Sequence, residues 1–177
     1  MAILKIARMG HPVLLAKAQE VADVTAPEIR RLLADMAETL VDAGGVGLAA
    51  PQVFQSLRLF IYEVPASRAQ GGQAVPLSAM FNPVVTPLGE ETELGWEGCL
   101  SIPGLRAAVP RYKRIRLTGL DEAGAPIDIE LSGFAARVVQ HEADHLDGVM
   151  YPSRMQDFRY FGFNEETERY LIDSPLE

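Results

Sequence analysis

The sequence predicts an α+β fold in a single domain, with mainly antiparallel β-sheets packed around a central helix and a further helix near the N-terminus. Three observations support this prediction: the length of 177 residues, a series of short strand-like runs between about residues 57 and 129, and helical periodicity on both sides of that series. A chain of this length suits one hydrophobic core, so residues 1–177 are expected to form one domain.

The first helix is predicted to begin near residue 25. Thr25-Ala26-Pro27-Glu28 has the form of a capping box with proline at an early helical position. Apolar residues then recur at helical spacing: Ile29, Leu32, Leu33, Met36, Leu40 and Val41. Gly44 is expected to end this helix in the left-handed conformation.

The strand-like runs are rich in β-branched and aromatic residues and are separated by proline, glycine and acidic turns. They are LRLFIYEV, AMFNPVV, RIRLTGL and IDIEL. The segment from Pro65 to Pro76, with Gly71-Gly72 at its centre, is expected to be a mobile surface loop. Four basic residues are expected on the solvent face of a strand, because Ile115 and Leu117 alternate with charges there. They are Arg111, Lys113, Arg114 and Arg116.

A second helix is predicted from about Phe134 to Asp147, with Ser132 as its cap and Gly148 as its end. Few periodic cues follow it. Residues 152–177 are therefore expected to form an irregular C-terminal tail, with a short helical turn near Glu165 to Leu171.

Composition and charge exclude several classes of protein. The chain has 16 Lys and Arg against 24 Asp and Glu, a formal charge of −8, so no direct binding to nucleic acid is expected. No segment reaches the length of a membrane span and no signal peptide is recognisable, which favours a cytoplasmic protein without membrane association. A single cysteine excludes an internal disulfide.

The strongest chemical signal lies on the second predicted helix. His141-Glu142-Ala143-Asp144-His145 places two imidazoles about one helical turn apart, so both can bind one metal ion. Glu142 would lie beside the open coordination position, where it can act as the general base for a water molecule. The pattern predicts a metal-dependent hydrolase.

A catalytic metal needs a third protein ligand, and Cys99 is the first candidate. It lies in the segment Trp96–Ser101, which a sheet under the second helix could bring to the histidines. A lone cysteine is more often a small buried hydrophobe, and a cysteine nucleophile is also conceivable. A zinc endopeptidase with its third ligand at Asn164-Glu165, or a closed structural metal site, are further alternatives.

The segment Gly45–Gln52 is apolar and glycine-rich. It lacks the Lys and Ser/Thr of a phosphate-binding loop. It could be only a tight connection, but glycines also let a backbone approach a ligand closely, and the neutral amide of Gln52 suits an oxyanion.

Together, the three segments Gly45–Gln52, Glu97–Ser101 and Gln140–His145 resemble, in order and spacing, the three motifs of peptide deformylases. The resemblance extends over most of the chain, from Gly10–Leu14 to Asp147-Gly148. The stretches Gly104–Arg111 and Ser132–Arg137 look more like the organelle-type branch than the common bacterial type, and the tail after Tyr151 departs from the common bacterial pattern.

The resemblance implies a function and a set of site residues. It implies removal of the formyl group from the N-terminal formylmethionine of nascent polypeptides, with release of formate. Cys99, His141 and His145 would bind one divalent metal ion and Glu142 would be the base, while Gln52 and the Leu100 N–H would hold the formyl oxygen. The metal is expected to be Fe²⁺ in the cell, and Zn²⁺, Ni²⁺ or Co²⁺ can substitute for it.

Substrate contacts and partners are expected from the same resemblance and, for the methionine pocket, from the apolar stripe of the second helix. Gly47 would line the substrate channel through its backbone, and Gly98 and Arg106 are also expected to contact substrate. A pocket for methionine must be apolar, and Val46, Phe134 and Val138 are the expected walls, because Phe134 and Val138 precede His141 on its own helical stripe. The expected partners are N-formylmethionyl peptides and nascent chains, with transient proximity to the ribosome.

Overall fold

The protein is described by a computed structural model over residues 2–69 and 74–171. The α-helices of this part of the chain are α1 (Pro27–Ala43), α2 (Gly133–Leu146) and α3 (Asn164–Tyr170). Its strands are β1 (Gly47–Ala49), β2 (Leu59–Val64), β3 (Val75–Pro87), β4 (Thr92–Cys99), β5 (Ile102–Tyr112), β6 (Arg114–Leu120), β7 (Pro126–Ser132) and β8 (Phe161–Phe163).

The strands form two antiparallel sheets. One sheet has five strands in the order β1-β2-β3-β6-β7, and the other has three in the order β4-β5-β8. The four strand-like runs of the sequence correspond to β2, β3, β6 and β7, so the predicted antiparallel α+β fold is confirmed. Strands β4 and β5 were not among the predicted runs, although they carry the segment around Cys99.

Helix α2 is the central element of the fold. It contacts β1, β2 and β3 of the larger sheet and β5 of the smaller one. Ten of its fourteen residues are buried as a result. Several of these buried residues are polar or charged, and such groups need hydrogen-bond or ionic partners inside the protein.

The predicted helix ends are correct in part. Gly44 closes α1 in the left-handed conformation, with φ of +64°, as expected. The capping box at Thr25 is wrong: the residue before the helix is Ala26, and the Thr25 hydroxyl donates to the Asp23 carboxylate at 2.7 Å. Ser132 does precede α2, but its side chain makes no capping hydrogen bond.

Arg111 is not on the solvent face of a strand, and this prediction is corrected. It lies on β5 with a side chain only 5% exposed. Lys113, Arg114 and Arg116 are exposed as expected, and Ile115 and Leu117 on β6 are buried. The alternation that was used for the prediction applies to β6, whereas Arg111 lies before the turn from β5 to β6 and points the other way.

The C-terminal segment is more regular than the expected irregular tail. Residues 151–171 contain two 3₁₀ turns, β8 and α3, and β8 pairs with β5. Helix α3 corresponds to the helical turn that was expected near Glu165. Gly71-Gly72, the centre of the expected mobile loop, and residues 172–177 lie outside the described residues. Among the described helices, none has the length and apolar character needed to cross a bilayer.

Candidate metal centre

Helix α2 and the end of β4 bring the three expected metal ligands together. Cys99, His141 and His145 each offer one ligand atom, and these atoms lie within 4.8 Å of one another. The two imidazole rings are one turn apart on α2 with centroids separated by 5.0 Å. The Cys99 Sγ is 3.3 Å from His145 Nε2.

The position of Cys99 depends on a local irregularity in the smaller sheet. Strands β4 and β5 form a hairpin whose two-residue turn is Leu100-Ser101, and their register shifts between Gly98 and Cys99. The shift and the turn place the thiol at the end of the hairpin, facing α2. Glu97 lies two residues earlier on the same strand, and its side chain also reaches α2.

The three donors lie close enough together to hold a single metal ion. Two nitrogens and a sulfur that share one tetrahedral ion lie roughly 3.3–3.6 Å apart, and the observed separation of Cys99 Sγ and His145 Nε2 is in this range. Burial holds the pKa of His145 well below its ordinary value, so its ring is neutral, as a metal ligand must be. The pKa of His141 lies well above its ordinary value, because its hydrogen bonds with Cys99 and Glu97 outweigh burial, so metal binding there must displace a proton. Glu165, the third ligand of the endopeptidase alternative, is exposed on α3 and does not belong to this group.

Glu142 lies beside the ligands in a buried environment. Its residue is 4% exposed, and its Oε2 atom is buried with no hydrogen-bond partner among the described residues. Burial raises the pKa of Glu142 to about 7. An unpartnered carboxylate oxygen next to a metal site is available to a water molecule or a substrate.

Gln52 faces the same site from the 3₁₀ turn Ala50–Val53. Its Oε1 accepts a hydrogen bond from the Ala49 N–H at 2.8 Å, and this bond sets the orientation of the amide. Its Nε2 group lies 3.2 Å from Ser101 Oγ and 3.5 Å from Cys99 Sγ. The amide therefore presents a donor, not an acceptor, toward the cysteine.

A chain of buried ionic contacts runs behind His141, and sequence reasoning missed it. The Glu97 carboxylate accepts from His141 Nδ1 at 2.9 Å and from Arg111 at 2.8 and 3.0 Å. Arg111 also donates to Asp144 at 2.6 Å, and Asp144 is held by Arg154. Burial alone would raise the pKa of Glu97, but the hydrogen bonds from His141 and Arg111 outweigh burial and hold that pKa well below its usual range.

A signal for Glu97 was present in the sequence. It stands two residues before Cys99, and residues i and i+2 of a strand share a face. A buried carboxylate that accepts from a metal-binding histidine fixes the ring orientation and the tautomer, which leaves the other ring nitrogen for the metal.

Tyr151 was also missed. Its ring stacks on His141, with centroids 6.1 Å apart and an interplanar angle of 27°. The residue is 1% exposed, and burial raises the pKa of its hydroxyl. It lies in the 3₁₀ turn that follows α2. The periodicity of the helix does not predict this contact, because Tyr151 lies beyond the end of the helix.

The residues expected to contact substrate do not all lie in the same surroundings. Val46, Phe134 and Val138 belong to one apolar cluster beside α2. Gly47 lies against Glu142, and Gly98 pairs with Arg106 in the β4–β5 hairpin. The Arg106 guanidinium contacts α3, with 3.1 Å to Asn164 Oδ1 and 2.8 Å to Glu168. The apolar residues could contact a substrate from these positions. The Arg106 side chain already has two partners within the protein.

Two imidazoles and a cysteine sulfur around one point, with a buried glutamate beside them, define the class of the protein as a metallohydrolase. The family model described as polypeptide deformylase matches residues 3–160. The chain belongs to the peptide deformylase family.

Similar proteins cover nearly the whole chain. Peptide deformylase 1 of Nitrosomonas europaea is 49% identical over 164 residues, covering 92% of this chain and 93% of the relative. Peptide deformylase 1 of Bordetella pertussis is 51% identical over 161 residues, covering 90% and 92%.

Solved structures show the same fold. The peptide deformylase from Ehrlichia chaffeensis, in complex with actinonin, superimposes with a TM-score of 0.83 at 33% identity, covering 90% of this chain and 92% of that one. The Thermus thermophilus enzyme has a TM-score of 0.77 at 44% identity, covering 87% and 86%. The expected family, fold and reaction are confirmed: the protein is a metallohydrolase that removes the N-formyl group from nascent polypeptides.

Proposed function

We propose that this chain performs deformylation with one divalent metal ion held by Cys99, His141 and His145. The observation that carries the proposal is the convergence of the three donor atoms within 4.8 Å of one another. When bound, such an ion supplies Lewis acidity, which acidifies water and polarises the formyl carbonyl. The remaining steps of the reaction are assigned to residues of the chain.

Glu142 is proposed as the general base and acid. Its Oε2 is buried and has no other partner among the described residues, so it can accept the proton of the attacking water. The water oxygen bonds to the formyl carbon, and the bond between that carbon and the methionine nitrogen then breaks. Glu142 returns the proton to the leaving nitrogen, and the products are formate and a free N-terminal amine.

Gln52 and the Leu100 N–H are proposed to stabilise the negative charge that develops on the formyl oxygen. The Gln52 amide is held by the Ala49 N–H, so its Nε2 group is oriented toward Cys99 before substrate arrives. Leu100 is the first residue of the hairpin turn directly after Cys99. Donors that are already oriented cost little reorganisation during the reaction.

The methionine side chain is proposed to bind against Val46, Phe134 and Val138. These three residues lie in one apolar cluster, and Val138 is one turn before Glu142 on α2. The backbones of Gly47 and Gly98 would border the peptide. Arg106 is the weakest member of the predicted set, because its guanidinium is engaged by Asn164 and Glu168.

The metal ion and the location of the protein in the cell are proposed as well. A ligand set of two imidazoles and one thiolate accepts Fe²⁺, Zn²⁺, Ni²⁺ or Co²⁺, and we propose Fe²⁺ as the ion used in the cell. The substrate is a nascent chain, so we also propose a cytoplasmic location and transient proximity to the ribosome.

Formate release from formyl-Met-Ala-Ser tests the proposal, with protein prepared under anaerobic conditions. An internal, unformylated peptide serves as the substrate of an endopeptidase. Loss of formate release in Cys99→Ala and its retention in Glu165→Ala would support the proposed ligands. Cleavage of the internal peptide, or full activity of Cys99→Ala, would contradict them.

A further inference from the structure

Arg137 occupies a mostly buried position near the candidate metal centre, and the proposed reaction gives it no role. It lies on α2 one turn before His141, and its side chain is 12% exposed. Its guanidinium donates to the backbone carbonyls of Glu93 at 2.7 Å, Gly95 at 3.2 Å and Val109 at 2.7 Å. It also donates to Glu97 Oε1 at 2.9 Å. The guanidinium thus joins α2 to both strands of the β4–β5 hairpin.

The contact with Glu97 completes the set of donors around that carboxylate. Oε2 accepts from His141 and Arg111, and Oε1 accepts from Arg111 and Arg137. An ionised carboxylate can only accept hydrogen bonds, so the proton between Glu97 and His141 belongs to Nδ1 of the imidazole. The plane of the carboxylate determines how this ring is oriented. Removing Arg137 would leave Oε1 with one donor, and the orientation of the carboxylate would then depend on Arg111 and His141 alone.

Gly95 provides the space in which the guanidinium of Arg137 lies. A Cβ atom at residue 95 would be 2.7 Å from Cζ and Nη2 of Arg137 and 2.9 Å from its Nε. These distances are shorter than van der Waals contact, so any larger residue at position 95 would displace the guanidinium. The glycine and the arginine therefore form one structural unit, although they are 42 residues apart in sequence.

We propose that Arg137, seated on Gly95, is a positioning residue of the metal centre that acts through Glu97 on the orientation of His141. The inference rests on the proposed function, because it requires His141 to be a metal ligand. Partners that orient a metal-binding histidine typically contribute about 10- to 100-fold to metal affinity or activity. Arg137 donates one of the four bonds to Glu97, so an effect of about tenfold is expected.

The test compares Arg137→Gln, Arg137→Lys and Gly95→Ala with two controls. Gly119→Ala introduces a similarly crowded Cβ, 2.7 Å from the Phe81 carbonyl oxygen in the other sheet. Arg116→Gln removes an exposed arginine that pairs with Asp128. Three measurements apply to each protein: the rate at which Zn²⁺ is lost to a chelator, the ¹H NMR signal of the His141 Nδ1–H in metal-free protein, and kcat and KM for formyl-Met-Ala-Ser.

The three test variants are expected to lose Zn²⁺ about tenfold faster than the wild type. Their Nδ1–H signal is expected to broaden through faster exchange, and kcat should fall while KM stays the same. Arg137→Lys should behave like Arg137→Gln, because an ammonium cannot span Glu97 and the strand carbonyls as the planar guanidinium does. The controls should change neither metal loss nor the NMR signal.

The proposal would be overturned if the test variants lost metal at the wild-type rate and kept a sharp Nδ1–H signal, whatever their melting temperature. Arg137 would then only connect α2 to the hairpin. Wild-type behaviour of Arg137→Lys alone would overturn the requirement for a planar donor. The NMR measurement needs no metal, so it tests the role of Arg137 separately from the proposed function. Failure of the proposed function would instead appear as metal-independent activity of the wild type.

Discussion

Gly47 on β1 lies directly against the carboxylate of Glu142 on α2. A Cβ atom at residue 47 would overlap Oε1 of Glu142 and would lie 2.6 Å from its Cδ and 2.9 Å from its Cγ. The resemblance to peptide deformylases implied a role for the Gly47 backbone in the substrate channel. The structure adds a steric reason for glycine at this position, because any side chain would occupy the space of the proposed base.

Gly47→Ala is therefore expected to reduce kcat while the metal is retained. The added methyl group displaces Glu142, and general acid–base catalysis contributes about 10²- to 10⁴-fold, so a loss of at least about 10² is expected. Formate release and metal content measure the two effects. Gly162→Ala on β8, whose Cβ would meet only Thr167 Cγ2 at 3.2 Å, should leave kcat unchanged. A normal kcat in Gly47→Ala would show that Glu142 does not need its present position.

Gln52→Ala is expected to lower kcat by about 10²- to 10³-fold, the typical contribution of one oxyanion donor. Its metal content should stay at the wild-type level, since Gln52 is not a proposed ligand. Gln55 is exposed and lies three residues after Gln52, so it provides a matched control, and Gln55→Ala should retain full activity. An unchanged rate in Gln52→Ala would remove this residue from the reaction.

Metal binding is expected to stabilise the folded protein through Cys99, His141 and His145. A ligand that binds only the folded state adds about 4 kcal/mol to the free energy of unfolding at 1,000 times its Kd. The melting temperature should therefore rise when Zn²⁺ is added to metal-free protein. Cys99→Ala should show a much smaller rise, and Glu165→Ala the same rise as the wild type. Equal rises in all three proteins would place the bound ion elsewhere.

How much of the site could be predicted from the sequence depends on how far apart in the chain the contacting residues lie. His141 and His145 are four residues apart on one helix, so helical geometry alone predicts that their rings meet. Cys99 lies more than 40 residues away, and its approach depends on the register shift at Gly98, which no local pattern encodes. Resemblance to a family, and not periodicity, supplied that assignment.

The buried ionic contacts could not be predicted for a related physical reason. Whether a charged residue on a strand faces the solvent or the core depends on where the strand begins and which element packs on it. Arg111 was assigned to the solvent by extending the alternation of β6 backward across a turn. Its actual partners, Glu97 and Asp144, come from β4 and α2, so the pairing exists only once the hairpin has docked on the helix.

Arg111→Met is expected to destabilise the protein strongly. Arg111 is shared by Glu97 and Asp144, and breaking a buried ion pair by removing one partner typically costs about 3–5 kcal/mol, because the remaining charge is left buried. Urea denaturation of the metal-free protein measures the change in the free energy of unfolding. Arg116→Met removes an arginine from the exposed pair with Asp128 and should have little effect, because surface ion pairs are screened by solvent. Equal stability of the two variants would show that the buried network contributes nothing to folding.

The apolar cluster beside α2 offers the last prediction, which concerns substrate selectivity. Val138 is 5% exposed and packs in the same cluster as Val46 and Phe134. Val138→Phe would add volume to the wall of the proposed methionine pocket, so KM should rise more for formyl-Met-Ala-Ser than for formyl-Ala-Ala-Ser. One extra or missing methylene in an apolar pocket changes the discrimination between substrates by about 1–3 kcal/mol, or roughly 10- to 200-fold in kcat/KM.

Val84 on β3 provides the control for this experiment, because it is 57% exposed and Val84→Phe adds the same volume outside the cluster. A change of selectivity in Val138→Phe and not in Val84→Phe would locate the methionine pocket at α2. An equal rise of KM for both substrates in Val138→Phe would instead indicate a general distortion of α2. In that case the side chain of the substrate must bind on another surface near the metal centre.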